Sequence, residues 1–91
     1  MRVKARFLGI LAEYAQPRWE VELGEGSTFA QFLEELARRW GASFPPEVWD
    51  RDKGAFTPWI GTFVDGVEDG EAGLPLHEGS EVVFVPISAG G

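Results

Sequence analysis

Polar and apolar residues alternate with a period of two in two stretches near the start of the chain. Residues 2–7 read Arg-Val-Lys-Ala-Arg-Phe, and residues 18–23 repeat the alternation with Trp, Val and Leu at the apolar positions. A period of two places all apolar side chains on one face of a strand. The pattern therefore predicts two half-buried strands that pair antiparallel. Between them, Ile10–Gln16 is expected to form a short helical turn that ends before Pro17.

The next stretch has apolar residues three and four positions apart, which is the spacing of one face of a helix. We expect this helix to span residues 28–40. Thr28 is a suitable N-cap, and Gln31 stands three residues later, as in a capping box. Arg38 and Arg39 lie near the end, where the helix dipole favours positive charge. The apolar stripe comprises Phe29, Phe32, Leu33, Leu36, Ala37 and Trp40. A single stripe of this kind requires a sheet to cover it.

Two further strand patterns lie in the second half of the chain. Residues 59–64 and 81–86 are rich in β-branched and aromatic residues, which are common in strands. Between them, Asp65 and Gly66 form a tight-turn signal, and Val67 begins a short return strand. The order of elements is strand, strand, helix, strand, short strand, strand. It predicts an α+β fold in which a mixed sheet of four to five strands packs on one main helix.

The last strand and segment 42–58 complete the predicted architecture. In the last strand, Val82 and Phe84 are expected in the core, with Val83 and Val85 on the opposite face. This strand should lie beside the first. Segment 42–58 contains three prolines and several aromatic residues, so we expect an ordered loop whose aromatic side chains close the edge of the core. A short helical turn is expected within it, around Pro46–Asp50.

Composition excludes several classes of function. A chain of 91 residues predicts one domain, spanning residues 1–91. The net charge of −7 disfavours a nucleic-acid partner, and no run approaches the roughly 20 apolar residues of a membrane span, so a cytoplasmic protein is expected. There is no cysteine, and the one histidine, His77, has the context of a surface turn. Neither a metal site nor catalysis by side chains of this chain is therefore expected.

The chain ends in two glycines, Gly90 and Gly91, which follow the small residues Ser88 and Ala89. Glycine has no Cβ and adopts backbone angles closed to other residues, so an enzyme can thread such a tail down a narrow channel and react at its carboxylate. The alternative is a frayed terminus without a role. We expect residues 87–91 to form a flexible tail.

The ordered set of motifs resembles the MoaD/ThiS family of ubiquitin-like (β-grasp) sulfur carriers, and the MoaD branch in particular. The resemblance covers most of the chain. Val64-Asp65-Gly66 stands where that family often has Val-Asn-Gly, and residues 77–82 are similar to its Asp-Gly-Asp-Glu-Val lead into the last strand. Residues 86–91 correspond to its terminal Pro-Pro-Val-x-Gly-Gly. The chain departs from the family at its second proline, which is Ile87 here, and at its valine, which is Ser88.

The resemblance implies a carrier protein and not an enzyme. A MoeB/ThiF-like partner would use ATP and Mg to adenylate the Gly91 carboxylate, and a sulfur donor, a desulfurase or rhodanese-like protein, would convert it to a thiocarboxylate. The sulfur would then serve molybdopterin synthesis, with a MoaE-like large subunit as a further partner, or another cofactor or tRNA thiolation. This chain would bind no cofactor of its own. Two alternatives remain open: a ubiquitin-like modifier that forms isopeptide bonds through Gly91, and a plain binding module whose glycines are idle.

The resemblance also points to a partner-binding surface on the solvent-facing side of the sheet. Leu8 aligns with a family contact position at the end of the first strand, and Val85 aligns with one on the last strand. Exposed aliphatic patches on small domains commonly bind partners. In the alternative reading, segment 42–58 covers Leu8 and Val85. The remaining candidate contact residues are Val83, Ile87 and Arg6, and the tail residues to be threaded are Ser88, Ala89 and Gly90.

Overall fold

The computed structural model describes residues 1–87. The predicted tail residues Ser88, Ala89, Gly90 and Gly91 lie outside the described residues. The elements, in chain order, are β1 (Arg2–Phe7), a 3₁₀ helix (Gly9–Glu13), β2 (Arg18–Glu22), α1 (Phe29–Trp40), β3 (Trp49–Asp50), β4 (Ala55–Phe56), β5 (Ile60–Val64), β6 (Val67–Glu68) and β7 (Glu81–Pro86).

Five strands form a mixed sheet in the order β2-β1-β7-β5-β6. β1 and β7 run parallel, and the other neighbouring pairs run antiparallel. The α+β prediction of a mixed sheet with one main helix is confirmed, as is the antiparallel pairing of the first two strands. The last strand lies beside the first, in the centre of the sheet. The sheet therefore carries β7 between two paired strands and not at an exposed edge.

α1 begins one residue after the predicted N-cap, Thr28. The Thr28 backbone N–H donates to Gln31 Oε1 at 2.8 Å, which satisfies a donor that the helix cannot pair itself. The predicted apolar stripe packs on the sheet, with Phe29, Phe32 and Leu36 buried. The helix therefore follows its sequence pattern closely.

The core is largely aromatic and lies between α1 and the sheet. Phe84 of β7 is at its centre, with ring centroids 5.5 Å from Phe7, 6.1 Å from Phe32 and 4.6 Å from Phe56. Val82 is also fully buried, so the predicted inward face of β7 is confirmed. Because these contacts join β1, α1 and β4 to β7, the position of the last strand depends on the whole core.

Segment 42–58 differs most from its prediction. The Trp49 N–H donates to the Pro45 carbonyl at 3.0 Å, which closes one helical turn slightly earlier than predicted. The chain then forms a two-stranded hairpin, in which Trp49 pairs with Phe56. Phe44 and Trp49 are 1% and 2% exposed, so these aromatic residues extend the core and do not merely cover its edge. Strands of two residues are too short to produce a detectable alternation, and the sequence pattern could not reveal them.

Element ends differ by a few residues elsewhere. The helical turn predicted over Ile10–Gln16 is a 3₁₀ helix that begins at Gly9 and ends at Glu13. Gly9 has φ +58°, a backbone angle that glycine adopts without strain, so the chain can turn directly out of β1. β5 begins at Ile60, one residue later than predicted, because the Ile60 N–H closes a turn onto the Thr57 carbonyl at 3.1 Å.

Candidate partner-binding face

The sheet has one face covered by α1 and one open face. On β7, the half-buried Val83 and Val85 alternate with the buried Val82 and Phe84, as predicted. The register between β5 and β7 determines which residues lie beside Val83 and Val85. Val83 is opposite Phe63 of β5, and Val85 is opposite Gly61. Because directly opposite residues share a face, the outward side chains of β5 and β7 form one surface.

The end of β1 extends this surface. The Leu8 N–H donates to the Phe84 carbonyl at 3.0 Å, which carries the parallel ladder one residue beyond Phe7. The same register places the half-buried Leu8 beside Val85. Two residues predicted to contact a partner, Leu8 and Val85, are thus neighbours on the open face.

Ile87 lies at the border of the same surface. Its N–H donates to the Trp59 carbonyl at 2.7 Å, and the side chains of Ile87 and Trp59 are 47% and 55% exposed. The flexible tail was predicted to begin at Ile87, but this hydrogen bond continues the β5–β7 ladder through that residue. We call Leu8, Phe63, Val83, Val85 and Ile87 the open-face patch.

Sequence reasoning missed two residues of this surface, Phe63 and Gly61. A Cβ placed on Gly61 would lie 3.1 Å from Ile87 Cδ1 and 3.6 Å from Val85 Cγ1. Because Gly61 has no side chain, Ile87 can occupy this space. Successive side chains of a strand point to opposite faces, so Phe63 lies on the face opposite to its neighbour Val64.

Segment 42–58 does not cover the patch with its aromatic residues. Phe44 packs against Phe7, and Phe56 packs against Phe84, both of which face α1. These two aromatic side chains therefore do not provide the cover over Leu8 and Val85 that the alternative reading requires. The aromatic residues of the segment extend the core on the α1 side of the sheet.

Basic side chains lie next to the open-face patch. Lys4 and Arg6 share the open face of β1, as predicted, and Arg6 is opposite Val83. Arg2 lies further along the same face and is paired with Glu22, whose Oε1 is 3.2 Å from Arg2 Nε. This hydrogen bond raises the pKa of Arg2 above its ordinary value. The predicted contact residue Arg6 therefore belongs to a charged border of the patch.

His77 lies in the exposed turn before β7, as expected. Its Nε2 is 3.3 Å from Asp65 Oδ2, and Asp65 Oδ1 accepts a hydrogen bond from the Glu81 N–H at 2.9 Å. These contacts attach the β5–β6 turn to the start of β7. Within residues 1–87 there is no cluster of three or more histidine and carboxylate side chains placed to hold a metal ion. Over the same residues, no helix has the length and apolar character needed to cross a membrane.

Several solved structures have the same architecture. SAMP1 from Haloferax volcanii superposes with a TM-score of 0.80 at 21% identity, covering 100% of both chains. A protein assigned as molybdopterin converting factor, subunit 1, from Pyrococcus furiosus superposes with a TM-score of 0.74 at 24% identity, covering 96% of this chain and 98% of the other. A chain of the BexX/CysO complex from Amycolatopsis orientalis gives a TM-score of 0.66 at 18% identity, with coverage of 98% and 99%.

The chain has the ubiquitin-like β-grasp fold. No protein-family model matches the sequence, and no curated protein matches it either. The β-grasp architecture therefore rests on the structural likeness together with the topology described above. The open-face patch lies on the side of the β-grasp sheet that is remote from its helix, and Ile87 at its border immediately precedes the tail in the sequence.

Gly61 offers a test of how the β-grasp sheet holds Ile87. We expect Gly61→Ala to displace Ile87, because its Cβ would stand 3.1 Å from that side chain. The hydrogen bond from Ile87 to Trp59 should weaken, and amide exchange at Ile87 should accelerate about 3- to 10-fold, the equivalent of one modest hydrogen bond. Gly73→Ala is the matched control, since its Cβ would meet nothing within 4 Å. Unchanged exchange at Ile87 would show that Gly61 does not position it.

Proposed function

We propose that this chain is a sulfur carrier protein of the MoaD/ThiS kind, and that its reacting group is the carboxylate of Gly91. The observation that carries the proposal is the position of β7. This central strand ends at Pro86, and the exposed Ile87 then stands at the border of an apolar patch immediately before the small residues and the two glycines. A partner that docks on the patch would thereby be brought next to the tail.

The chemistry assigns the chain the role of substrate. A carboxylate is a poor electrophile, because its negative charge repels nucleophiles and oxide is a poor leaving group. A MoeB/ThiF-like partner would join the Gly91 carboxylate to AMP from ATP, with Mg handled by that enzyme and pyrophosphate released. A sulfur donor, of the desulfurase or rhodanese-like kind, would then displace AMP and leave a thiocarboxylate. The absence of cysteine from the sequence is compatible with sulfur carried on the main-chain terminus.

Two of the structural neighbours support this class of function. One is assigned as a molybdopterin converting factor subunit, and another is a component of the BexX/CysO complex. The pathway we favour is molybdopterin synthesis, with a MoaE-like subunit as a later partner. Two SAMP1 proteins, which are small archaeal modifier proteins, favour the second candidate, a modifier that forms isopeptide bonds through Gly91. Both candidates require the same activated terminus.

Intact mass of the protein isolated from its own cells distinguishes these functions. A sulfur carrier should show a species heavier by the difference between sulfur and oxygen, about 16 Da. A modifier should appear in high-mass conjugates detected with an antibody against the chain. If deletion of Gly90 and Gly91 leaves pathway activity unchanged, both candidates are wrong and a plain binding module is favoured. A natural chain that continues beyond Gly91 would also contradict the proposal.

Val85→Asp tests whether the activating enzyme docks on the open-face patch. A carboxylate in the middle of an apolar contact must be desolvated without a partner, so we expect binding to weaken by about 100-fold. Because Val85 is only half-buried, the fold should be retained. The measurements are the dissociation constant by calorimetry and the melting curve by circular dichroism.

Val67→Asp is the matched control for this variant. Val67 is 64% exposed and lies opposite Val64 on the edge strand β6, outside the open-face patch. We expect its affinity for the enzyme to stay within about 2-fold of wild type, as for a surface change away from the contact. Equal losses for both variants would place the docking surface elsewhere, and unfolding of Val85→Asp would show that Val85 belongs to the core.

A further inference from the structure

The pairing of charges between β1 and β2 changes along the ladder. Arg2 is opposite Glu22, and Lys4 is opposite Glu20, so these two pairs join opposite charges. The next outward-facing pair joins Arg6 to Arg18. Like charges directly opposite each other on an antiparallel pair destabilise the sheet. The like pair is also the one nearest the open-face patch, because Arg6 is opposite Val83 on its other side.

The hydrogen-bond register makes this pair a close one. The Phe7 N–H donates to the Pro17 carbonyl at 2.9 Å, and the Leu23 N–H donates to the Met1 carbonyl at 2.8 Å. In the β1–β2 ladder, the odd-numbered residues of β1 thus belong to the hydrogen-bonded pairs. Arg6 and Arg18 therefore form a non-hydrogen-bonded pair, in which the side chains of an antiparallel ladder approach most closely.

Neither guanidinium group is directly paired within the part of the chain that the structure describes. Among residues 1–87, neither side chain forms an ion pair or donates a hydrogen bond, whereas Arg2 does both with Glu22. They border an open groove of about 320 Å³ on this face of the sheet, which is also lined by Lys4, Glu20 and Glu81. Arg18 is exposed and Arg6 is half-buried. Two arginines without an ion pair among the described residues are thus direct cross-strand neighbours in a chain whose net charge is −7.

We propose that Arg6 and Arg18 together bind a side-chain carboxylate on the docking surface of the activating enzyme, beside an apolar residue of that enzyme that contacts Val83. This inference rests on the proposed function, since it takes the enzyme as the partner. Two guanidinium groups offer planar, paired donors that match a carboxylate, and the anion would relieve their mutual repulsion in the complex. Because the chain is acidic overall, it attracts basic surfaces at long range. A carboxylate at this point would therefore fix orientation more than it would drive encounter.

The first test measures affinity for the MoeB/ThiF-like enzyme encoded in the same genome. We expect Arg6→Gln and Arg18→Gln each to weaken binding by about 10-fold, with a smaller salt dependence than wild type. The double variant should lose less than the product of the two, because both arginines share one carboxylate. Arg2→Gln is the control: it removes an arginine from the same strand and face, but one already paired with Glu22, and should change affinity by less than about 2-fold.

The second test uses the free protein and needs no partner. If repulsion between the two arginines outweighs their attraction to Glu20 and Glu81 in the same groove, Arg18→Gln should raise the melting temperature by about 2–5 °C at low salt, and the gain should shrink at high salt. A lower melting temperature for Arg18→Gln would show that Arg18 has an attractive partner within the chain, and would overturn the inference. Arginine-dependent binding of inorganic tripolyphosphate to the free protein, without arginine-dependent binding of the enzyme, would overturn it in favour of a phosphate ligand.

The two levels of the proposal fail in different ways. A wild-type chain that the enzyme adenylates, but whose affinity is the same in both arginine variants, refutes the carboxylate contact and leaves the sulfur-carrier function intact. A wild-type chain that binds the enzyme with the expected dependence on Arg6 and Arg18, but is never adenylated, supports the contact and refutes the sulfur-carrier function.

Discussion

Adding one residue after Gly91 should abolish adenylation of the chain by its activating enzyme. The added residue moves the carboxylate beyond the point at which the enzyme holds AMP, and any residue except glycine also brings a Cβ to the tip of the tail. Productive geometry is sensitive to displacements of about 1 Å, whereas one residue extends a chain by about 3.3 Å. We expect ATP–pyrophosphate exchange with the cognate enzyme to fall at least about 100-fold.

The extended chain should retain its fold and its binding to the enzyme. Circular dichroism and affinity provide these two controls, since the open-face patch is unchanged. Removal of the added residue with a carboxypeptidase should restore exchange. Normal exchange by the extended chain would mean that the reacting group is not the Gly91 carboxylate, and the sulfur-carrier proposal would fail with it.

The helix and the long strands were predictable because each is long enough to repeat its sequence period at least once. α1 presents its apolar residues every three or four positions from Phe29 to Trp40, and the structure buries that stripe. In β7, the alternation separates the buried Val82 and Phe84 from Val83 and Val85. This alternation alone predicts that Val83 and Val85 point outward, whereas Leu8 was identified through the family resemblance.

The hairpin β3–β4 could not be predicted in the same way. Its strands contain two residues each, and Trp49 and Phe56 meet only because the chain turns tightly between Asp50 and Ala55. The Asp50 side chain accepts hydrogen bonds from the Asp52 and Lys53 backbone N–H groups at 3.0 and 3.1 Å, which stabilises that turn. Tertiary packing of aromatic residues, and not local periodicity, determines this part of the fold.

The register between strands is a second feature of the fold that the sequence alone could not predict. The alternation shows that Arg6 and Arg18 each point outward, but not that they stand directly opposite each other. A shift of one residue would move all side chains of a strand to the other face, and a shift of two would bring Arg6 opposite Glu20 or Gln16 instead. The juxtaposition of the two arginines is thus a finding of the structure.

Phe84→Ala should cause the largest loss of stability of any single substitution considered for this chain. Phe84 is fully buried and packs against aromatic rings from β1, α1 and β4, the shortest centroid separation being 4.6 Å to Phe56. Removing a buried phenylalanine side chain costs about 3–5 kcal/mol, compared with about 5–15 kcal/mol for the whole free energy of unfolding. We expect the melting temperature to fall by about 15–30 °C.

Phe63→Ala is the matched control, and it links stability to the proposed docking surface. Phe63 belongs to the neighbouring strand of the same sheet but lies on the open face, half-buried opposite Val83. Its truncation leaves no enclosed cavity, so we expect a loss of only about 1 kcal/mol in the free energy of unfolding, measured by urea denaturation. The same variant should weaken binding to the activating enzyme, because Phe63 is part of the open-face patch. Equal losses of stability for the two variants would show that the open face is closed in the free protein, for example by a second copy of the chain, and the patch could not then receive the enzyme directly.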